Sequence, residues 1–171
     1  MKKKIFFMII LLISISITTG CNSNNVFNNP DVKVVKEKIE TLNDISDICI
    51  VTEDHDPNGK LNKQGGYTGA LFFVNKNIDT TYYQEHWDDK EMKTVKSNDA
   101  CDMGTVAGGS IEIYANESDA KKRNLYLEQM DAIISGGYHE VKGTLVIRIS
   151  NDLTASEQKD FVDKIIKAIE K

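Results

Sequence analysis

The sequence predicts an α+β fold: a two-layer sandwich with helices packed on one face of a mostly antiparallel or mixed sheet of four to five strands. Two kinds of pattern predict it. Some segments carry their apolar residues at helical spacing along one side only, and these are residues 31–43, 116–135 and 154–169. Others are short and apolar or alternate apolar with polar residues, as strands do, and these are residues 45–53, 69–74, 110–115 and 138–149.

Residues 1–20 have the layout of a secretory signal peptide, with Lys2, Lys3 and Lys4 before an apolar run. That run is about 13 residues long, shorter than the roughly 20 that span a bilayer. The 18–21 junction (TTGC) resembles a bacterial lipobox, which implies that the Cys21 thiol is lipidated and anchors the chain on the extracytoplasmic face of the cell membrane. A lipobox usually has leucine where Thr18 stands, so simple secretion and an uncleaved anchor remain alternatives.

The mature chain divides into an Asn-rich flexible tether at 21–30 and a single domain at 31–171. Loss of the signal peptide removes three lysines and no acid. The net charge therefore moves from −5 to −8, with 18 basic residues against 26 acidic ones. Such a chain lacks the basic surface that nucleic acids need, and its attachment to a membrane should depend on the lipid alone.

The first half of the domain reads in order as a helix, two strands and a segment without a firm prediction. The helix begins at Asp31 and ends near Asn43. A loop of turn-forming residues separates the strands at 54–68 and is longer than a hairpin needs, which is typical of functional or mobile connections. Residues 75–103 show no clear period, although 92–95 reads as an optional edge strand.

The second half is clearer. The strand at 110–115 should turn Ile111 and Ile113 inward and Glu112 and Tyr114 outward. A helix capped by Asn116 should bury Ala120, Leu127, Met130 and Ile134 and end at Gly136 and Gly137. A strand at 138–149, irregular near Gly143, should precede a last helix that starts with a capping box of Thr154 and Glu157.

Two cysteines remain after Cys21, namely Cys49 and Cys101. Export would place them where disulfides persist, so they can form one intramolecular bridge. The alternative is that Cys49, which lies in an apolar stretch, is a small buried side chain with a free thiol.

A calcium site is one interpretation of residues 54–59 (DHDPNG), with Asp54, Asp56 and Asn58 as ligands. The spacing matches the first half of a calcium-binding loop, but the twelfth position is Gly65 where such a loop has glutamate. The competing interpretation is a type I turn, because Asp, Pro and Gly occupy their favoured positions in 56–59.

Catalytic and phosphate-binding motifs are poorly supported. The glycine-rich segment 104–110 has no lysine before its serine and precedes a strand, which excludes a phosphate-binding P-loop. The three histidines have no zinc-ligand spacing. An aromatic cluster of Tyr82, Tyr83 and Trp87 is either a binding surface or a cover over the core.

Three segments together resemble a group of small, uncharacterised extracytoplasmic lipoproteins of Gram-positive bacteria. They are residues 52–68, 108–114 and 120–127. The resemblance implies one exported domain and supplies no catalytic residues.

We therefore expect a membrane-anchored, non-catalytic binding or interaction module of the cell envelope. Its loop at 54–68 should recognise a protein or a small molecule. Three other functions remain open: a calcium-binding lipoprotein, an envelope hydrolase that uses carboxylates such as Asp54, Asp56 or Asp102, and a purely structural or immunity-type lipoprotein whose partner is a protein.

Overall fold

A five-stranded antiparallel sheet with the order β1-β2-β5-β7-β6 organises the fold. The computed structural model describes residues 26–88, 92–131 and 136–171, so the predicted signal peptide, Cys21 and Ile134 lie outside the described residues. The strands of the sheet are β1 (Ile45–Ile50), β2 (Gly69–Asn75), β5 (Gly108–Ile113), β6 (His139–Lys142) and β7 (Leu145–Ile149). A separate hairpin consists of β3 (Glu85–Asp88) and β4 (Lys93–Lys96).

The helices are α1 (Val32–Ile39), α2 (Ala100–Met103), α3 (Glu117–Asp131) and α4 (Ala155–Glu170). Their starts follow from local capping. The Asp31 side chain accepts a hydrogen bond from the Lys33 amide at the start of α1, and Thr154 and Glu157 form the predicted capping box of α4. Among the described residues, no helix has the length and apolar character needed to cross a membrane.

The predicted α+β fold is confirmed, but the layering differs from the prediction. Helices α1 and α4 cover one face of the sheet, where alternate strand residues such as Leu71 and Ile147 form the larger core. Helices α2 and α3 contribute to a second core on the opposite face, with Phe72 and Val146 of the sheet. The inner strands β2 and β5 are consequently buried at every position.

Because both faces are covered, two predictions about β5 and the residue after it are wrong. Glu112 and Tyr114 were expected to face solvent, yet they are 1% and 2% exposed. Alternation correctly places Glu112 and the isoleucines on opposite faces of β5. It cannot reveal that a helix covers the second face.

The predicted strand at 138–149 is a hairpin rather than one strand. Strands β6 and β7 pair with Lys142 opposite Leu145, so Gly143 and Thr144 form a two-residue turn. Gly143 has a φ of +59°, a conformation that favours glycine, which explains the irregularity seen in the sequence.

The predicted tether is partly folded. The Phe27 side chain is buried in the larger core, and its carbonyl accepts hydrogen bonds from the amide and hydroxyl of Thr144 at 2.9 Å each. The Asn29 amide in turn donates to the Thr144 hydroxyl at 2.7 Å. The domain thus begins no later than Phe27. Burial of this aromatic side chain in the core stabilises the fold, whereas a tether residue would stay in solvent.

The predicted bridge between Cys49 and Cys101 is confirmed. Their sulfur atoms are bonded, and the alpha carbons are 5.5 Å apart. The bridge joins β1 to α2 across 52 positions of sequence and fixes the short helix against the sheet.

We expect the double substitution C49A/C101A to lower the free energy of unfolding by about 4 kcal/mol, because a closed loop of this length restricts the unfolded chain strongly. Guanidinium unfolding of the mature protein measures the change. Reduction of the wild-type protein should reproduce it, whereas coincident unfolding curves would contradict a stabilising bridge.

Candidate functional site: a pocket between the 56–67 loop and helix α3

The loop at residues 56–67 is held in one shape by Asp56. One oxygen of this carboxylate accepts a hydrogen bond from the Asn58 amide at 3.1 Å and another from the Tyr67 hydroxyl. The other oxygen accepts from the Leu61 amide at 2.7 Å. The Asn62 amide then donates to the Tyr67 carbonyl at 2.9 Å and ties the middle of the loop to its end.

These contacts also set the ionisation of the two side chains. Burial opposes the charge on Asp56, but the amides and the Tyr67 hydroxyl outweigh it and hold the pKa of Asp56 below its usual value. Burial, the hydrogen bond to Asp56 and the charge of Asp56 together raise the pKa of Tyr67. At neutral pH the pair therefore consists of a carboxylate and a neutral phenol.

The loop forms one wall of a cavity of about 560 Å³, and the first turns of α3 form another. Its lining combines three cations, one carboxylate, three tyrosines, an amide and two glycines: Lys60, Lys122, Arg123, Asp119, Tyr67, Tyr114, Tyr126, Asn58, Gly65 and Gly66. The loop is packed tightly beside this cavity, since a Cβ atom on Gly66 would lie 2.0 Å from the Lys60 carbonyl oxygen.

Behind the cavity, Glu112 forms a buried ionic cluster. The Arg123 guanidinium donates to both of its oxygens, from Nε and Nη2, at 2.8 Å each. The Tyr114 hydroxyl donates to the same carboxylate at 2.7 Å, and Arg148 Nη1 lies 3.5 Å from it. The bidentate geometry fixes both the distance and the rotation of the Arg123 guanidinium.

Arg123 and Arg148 are the only two arginines in a sequence that carries 21 lysines and arginines. Both contact Glu112, the one glutamate that is buried among the described residues. This choice of residue fits the site, because a guanidinium matches a carboxylate bidentately and is less strongly hydrated than a lysine ammonium. Arginine is therefore used here where a charge must be taken out of water.

The cluster shifts the pKa values of its members in different directions. Burial lowers the pKa of Arg148, and the charge of Glu112 only partly offsets this. Burial also acts to lower the pKa of Arg123, but its hydrogen bonds and charge contact with Glu112 prevail and raise it. The pKa of Tyr114 is raised, first by burial and then by Glu112. Both guanidiniums remain charged at neutral pH.

Helix α3 is positioned by this cluster, by the hydrogen bonds of His139 in β6 to Asn124 and Asp131, and by two small apolar contacts. Asn116 caps the helix, accepting a hydrogen bond from the Asp119 amide at 3.0 Å, as predicted. Ala120 and Leu127 are buried, as predicted, whereas Met130 is only half-buried, and most of the helix is polar. The ion pair of Arg123 with Glu112 is thus a principal attachment of α3 to the sheet.

The three predicted calcium ligands lie in different surroundings. Asp56 turns into the loop and is occupied by the hydrogen bonds described above. Asn58 lines the cavity, and Asp54 is exposed. The type I turn interpretation is supported, because the Gly59 amide donates to the Asp56 carbonyl at 3.0 Å.

A different set of side chains could hold a metal ion. Donor atoms of Cys49, His55, Asp99 and Cys101 lie within 4.8 Å of one another. The two cysteines are joined in a disulfide, however, and a disulfide lacks the thiolate that binds metals. His55 is also engaged, since its Nε2 lies 2.8 Å from Asp102 Oδ1.

Only part of the predicted aromatic cluster is exposed to solvent. Tyr82 is 86% exposed, and its ring meets that of Tyr83 edge to face at 5.6 Å. Tyr83 packs against the core and donates a hydrogen bond from its hydroxyl to Asp152. Trp87 lies in β3, opposite Thr94, and its side chain is outside the described part of the chain.

Sequence reasoning missed the cluster of Glu112, Tyr114, Arg123 and Arg148. The scarcity of arginine was the available signal, because two arginines among many lysines suggest positions that lysine cannot fill. Residues 52–68, 108–114 and 120–127 meet at this pocket and contribute Tyr67, Tyr114 and Arg123 to its lining.

Comparisons with models of protein families, with curated proteins and with solved structures find no match for this chain.

We expect Glu112→Gln to lower the free energy of unfolding by about 3 kcal/mol, because it removes the countercharge that the mostly buried Arg123 and Arg148 guanidiniums share. Thermal and denaturant unfolding measure the loss. The matched control is Glu117→Gln, which removes a carboxylate from an exposed pair with Lys121 and should cost less than about 1 kcal/mol. Equal effects of the two substitutions would contradict the role of Glu112.

Proposed function

We propose that this chain is a membrane-anchored, extracytoplasmic lipoprotein whose domain binds a ligand in the cavity between the 56–67 loop and α3. The cavity of about 560 Å³ is the observation that carries the proposal. Its size is within the range of small-molecule sites, which is about 300–1,000 Å³. A long polar loop bordering a cavity is also a common arrangement for recognition.

The order of the loop supports binding. Asp56 makes hydrogen bonds to three groups of the loop, and Arg123 is fixed by two hydrogen bonds to Glu112. Both walls are thus formed before a ligand arrives, and a preformed site spends less binding energy on ordering itself.

The hydrolase alternative has less support. A carboxylate that acts as general acid near neutral pH needs a raised pKa, whereas the pKa of Asp56 is lowered. Asp102 pairs with His55, and Asp54 is exposed. Neither Asp54 nor Asp56 belongs to the metal-ligand cluster found among the described residues.

Calcium binding by the loop also has less support. The Asp56 oxygens already accept hydrogen bonds from two backbone amides and a phenol, and a calcium ion would have to displace them. The Cys49–His55–Asp99–Cys101 group offers a metal only two donors while the disulfide is intact.

Equilibrium dialysis of the mature protein against the small-molecule fraction of a Gram-positive envelope extract tests the binding proposal. Mass spectrometry should find compounds enriched with the protein and chemically unchanged. Lys122→Trp should abolish the enrichment, because this exposed side chain borders the cavity and tryptophan would partly fill it. Lys121→Trp, on the same helix but outside the lining, should retain it.

Enrichment that both tryptophan variants retain would place the binding elsewhere, and an absence of enrichment would contradict the proposal. Conversion of an enriched compound into a product would favour the hydrolase. Thermal melts of the two variants check that each is folded.

The proposed lipid anchor at Cys21 is tested by a separate measurement. We expect mass spectrometry of the protein from membranes to find Cys21 as a lipid-modified N-terminal residue, and Cys21→Ala to move the protein out of the membrane fraction. An unmodified Cys21 thiol in the membrane-bound protein would contradict the lipid anchor.

A further inference from the structure

We propose that the cavity between the 56–67 loop and α3 selects a small organic anion carried on a flat ring, with Arg123, Lys60 and Lys122 around its negative group. The inference rests on the proposed binding function and assigns the ligand class. It follows from the charge, the free donor groups and the ring surfaces of the lining.

The lining is cationic although the chain is acidic. Lys60, Lys122 and Arg123 face a single lining carboxylate, Asp119, in a sequence whose net charge is −5. Charges farther away than the Debye length, about 8 Å at physiological ionic strength, are largely screened. A ligand in the cavity therefore responds to the charges of the lining rather than to the net negative charge of the chain.

The carboxylates nearest the lining, Glu112 and Asp56, are occupied by hydrogen bonds within the protein, so the cations of the lining are the groups that can still pair with a ligand. Glu112 is shared between Arg123 and Arg148, so one carboxylate serves two guanidiniums. Asp131 also acts on Arg148, but it is hydrogen-bonded to His139 and is not part of the lining. Asp119 pairs with Lys122 at 2.9 Å in an exposed contact, which a ligand anion can replace at little cost.

Donor groups remain for an anion. Arg123 uses Nε and Nη2 for Glu112, and among the described residues no hydrogen bond engages its Nη1 atom. Lys60 is exposed and, within the same described part, has no ion pair. A guanidinium held from behind by a carboxylate presents its remaining N–H groups in a fixed direction, which favours a carboxylate or phosphate oxygen.

The exposed ring of Tyr126 favours a flat ring as the carrier of the anion. Tyr67 and Tyr114 also line the cavity, but each is only 2% exposed and has its hydroxyl bonded to Asp56 or Glu112, so the accessible ring surface comes mainly from Tyr126. Tyr126 is 51% exposed, and the Arg123 guanidinium lies 5.5 Å from its ring centroid. Aromatic rings pair favourably with one another in offset or edge-to-face geometry.

Four small probes that share a phenyl ring test the assignment: benzoate, phenyl phosphate, neutral benzamide and cationic benzylammonium. The readouts are calorimetry and the NMR shifts of the Gly65 and Gly66 amides, in a buffer without phosphate or sulfate. We expect at least one of the two anions to bind with a Kd of about 1 mM, typical of so small a probe, and to shift both amides. Benzamide and benzylammonium should bind at least about tenfold more weakly, and added salt should weaken the anion.

A charge-matched pair of variants isolates the lining. The double variant K60Q/K122Q should weaken anion binding about tenfold, because it removes two cations beside the cavity. K63Q/K121Q removes the same net charge from the same loop and helix outside the lining, and should leave the Kd unchanged. An equal loss in both variants would show a response to total charge and overturn the inference.

The outcomes test the ligand class separately from the proposed binding function. Tighter binding of benzamide or benzylammonium, with shifts at Gly65 and Gly66, overturns the anion assignment and leaves the binding proposal standing. A failure of every probe to shift these amides overturns the anion assignment, and the dialysis experiment then decides the binding function independently. Benzoate against phenyl phosphate distinguishes a carboxylate ligand from a phosphate ligand.

Discussion

The hydrogen-bonded ion pair of Glu112 with Arg123 is the contact on which the second face of the sheet depends. Glu112 is placed there by the alternation of β5, whose isoleucines enter the larger core on the opposite face. A buried carboxylate is costly unless it is paired and hydrogen-bonded. Arg123, Arg148 and Tyr114 supply those partners, and Arg123 thereby attaches a mostly polar helix to the sheet.

The pocket follows from the same constraint. Once α3 is held on this face, its first turns lie beside the 56–67 loop, which Asp56 shapes from within. The disulfide fixes α2 near the start of that loop, where His55 meets Asp102. The cavity thus has rigid walls built from two carboxylates whose charges are used internally, while the cations of the lining remain on the surface of the cavity.

The periodic patterns of the sequence predicted most of the helices and strands because they report which residues avoid water. They failed where a polar residue is buried. Glu112 and Tyr114 read as solvent-facing, since an alternating strand gives the same pattern whether its polar side meets water or a guanidinium. The calcium hypothesis depended on spacing alone: the spacing of Asp54, Asp56 and Asn58 is visible in the sequence, but the inward turn of Asp56 toward Tyr67 depends on tertiary contacts. The Gly143 turn was seen only as an irregularity, because one glycine between two apolar runs does not specify their pairing.

NMR of the arginine side chains tests the central contact most directly, because the chain has only two arginine Nε–H groups to assign. With Nε and Nη2 of Arg123 bound to a buried carboxylate, we predict slow solvent exchange of its Nε–H and hindered rotation of its guanidinium at neutral pH. The Glu112→Gln variant should lose both properties while it is still folded. Rapid exchange and free rotation of the Arg123 guanidinium in the wild-type protein would contradict a fixed ion pair behind the pocket.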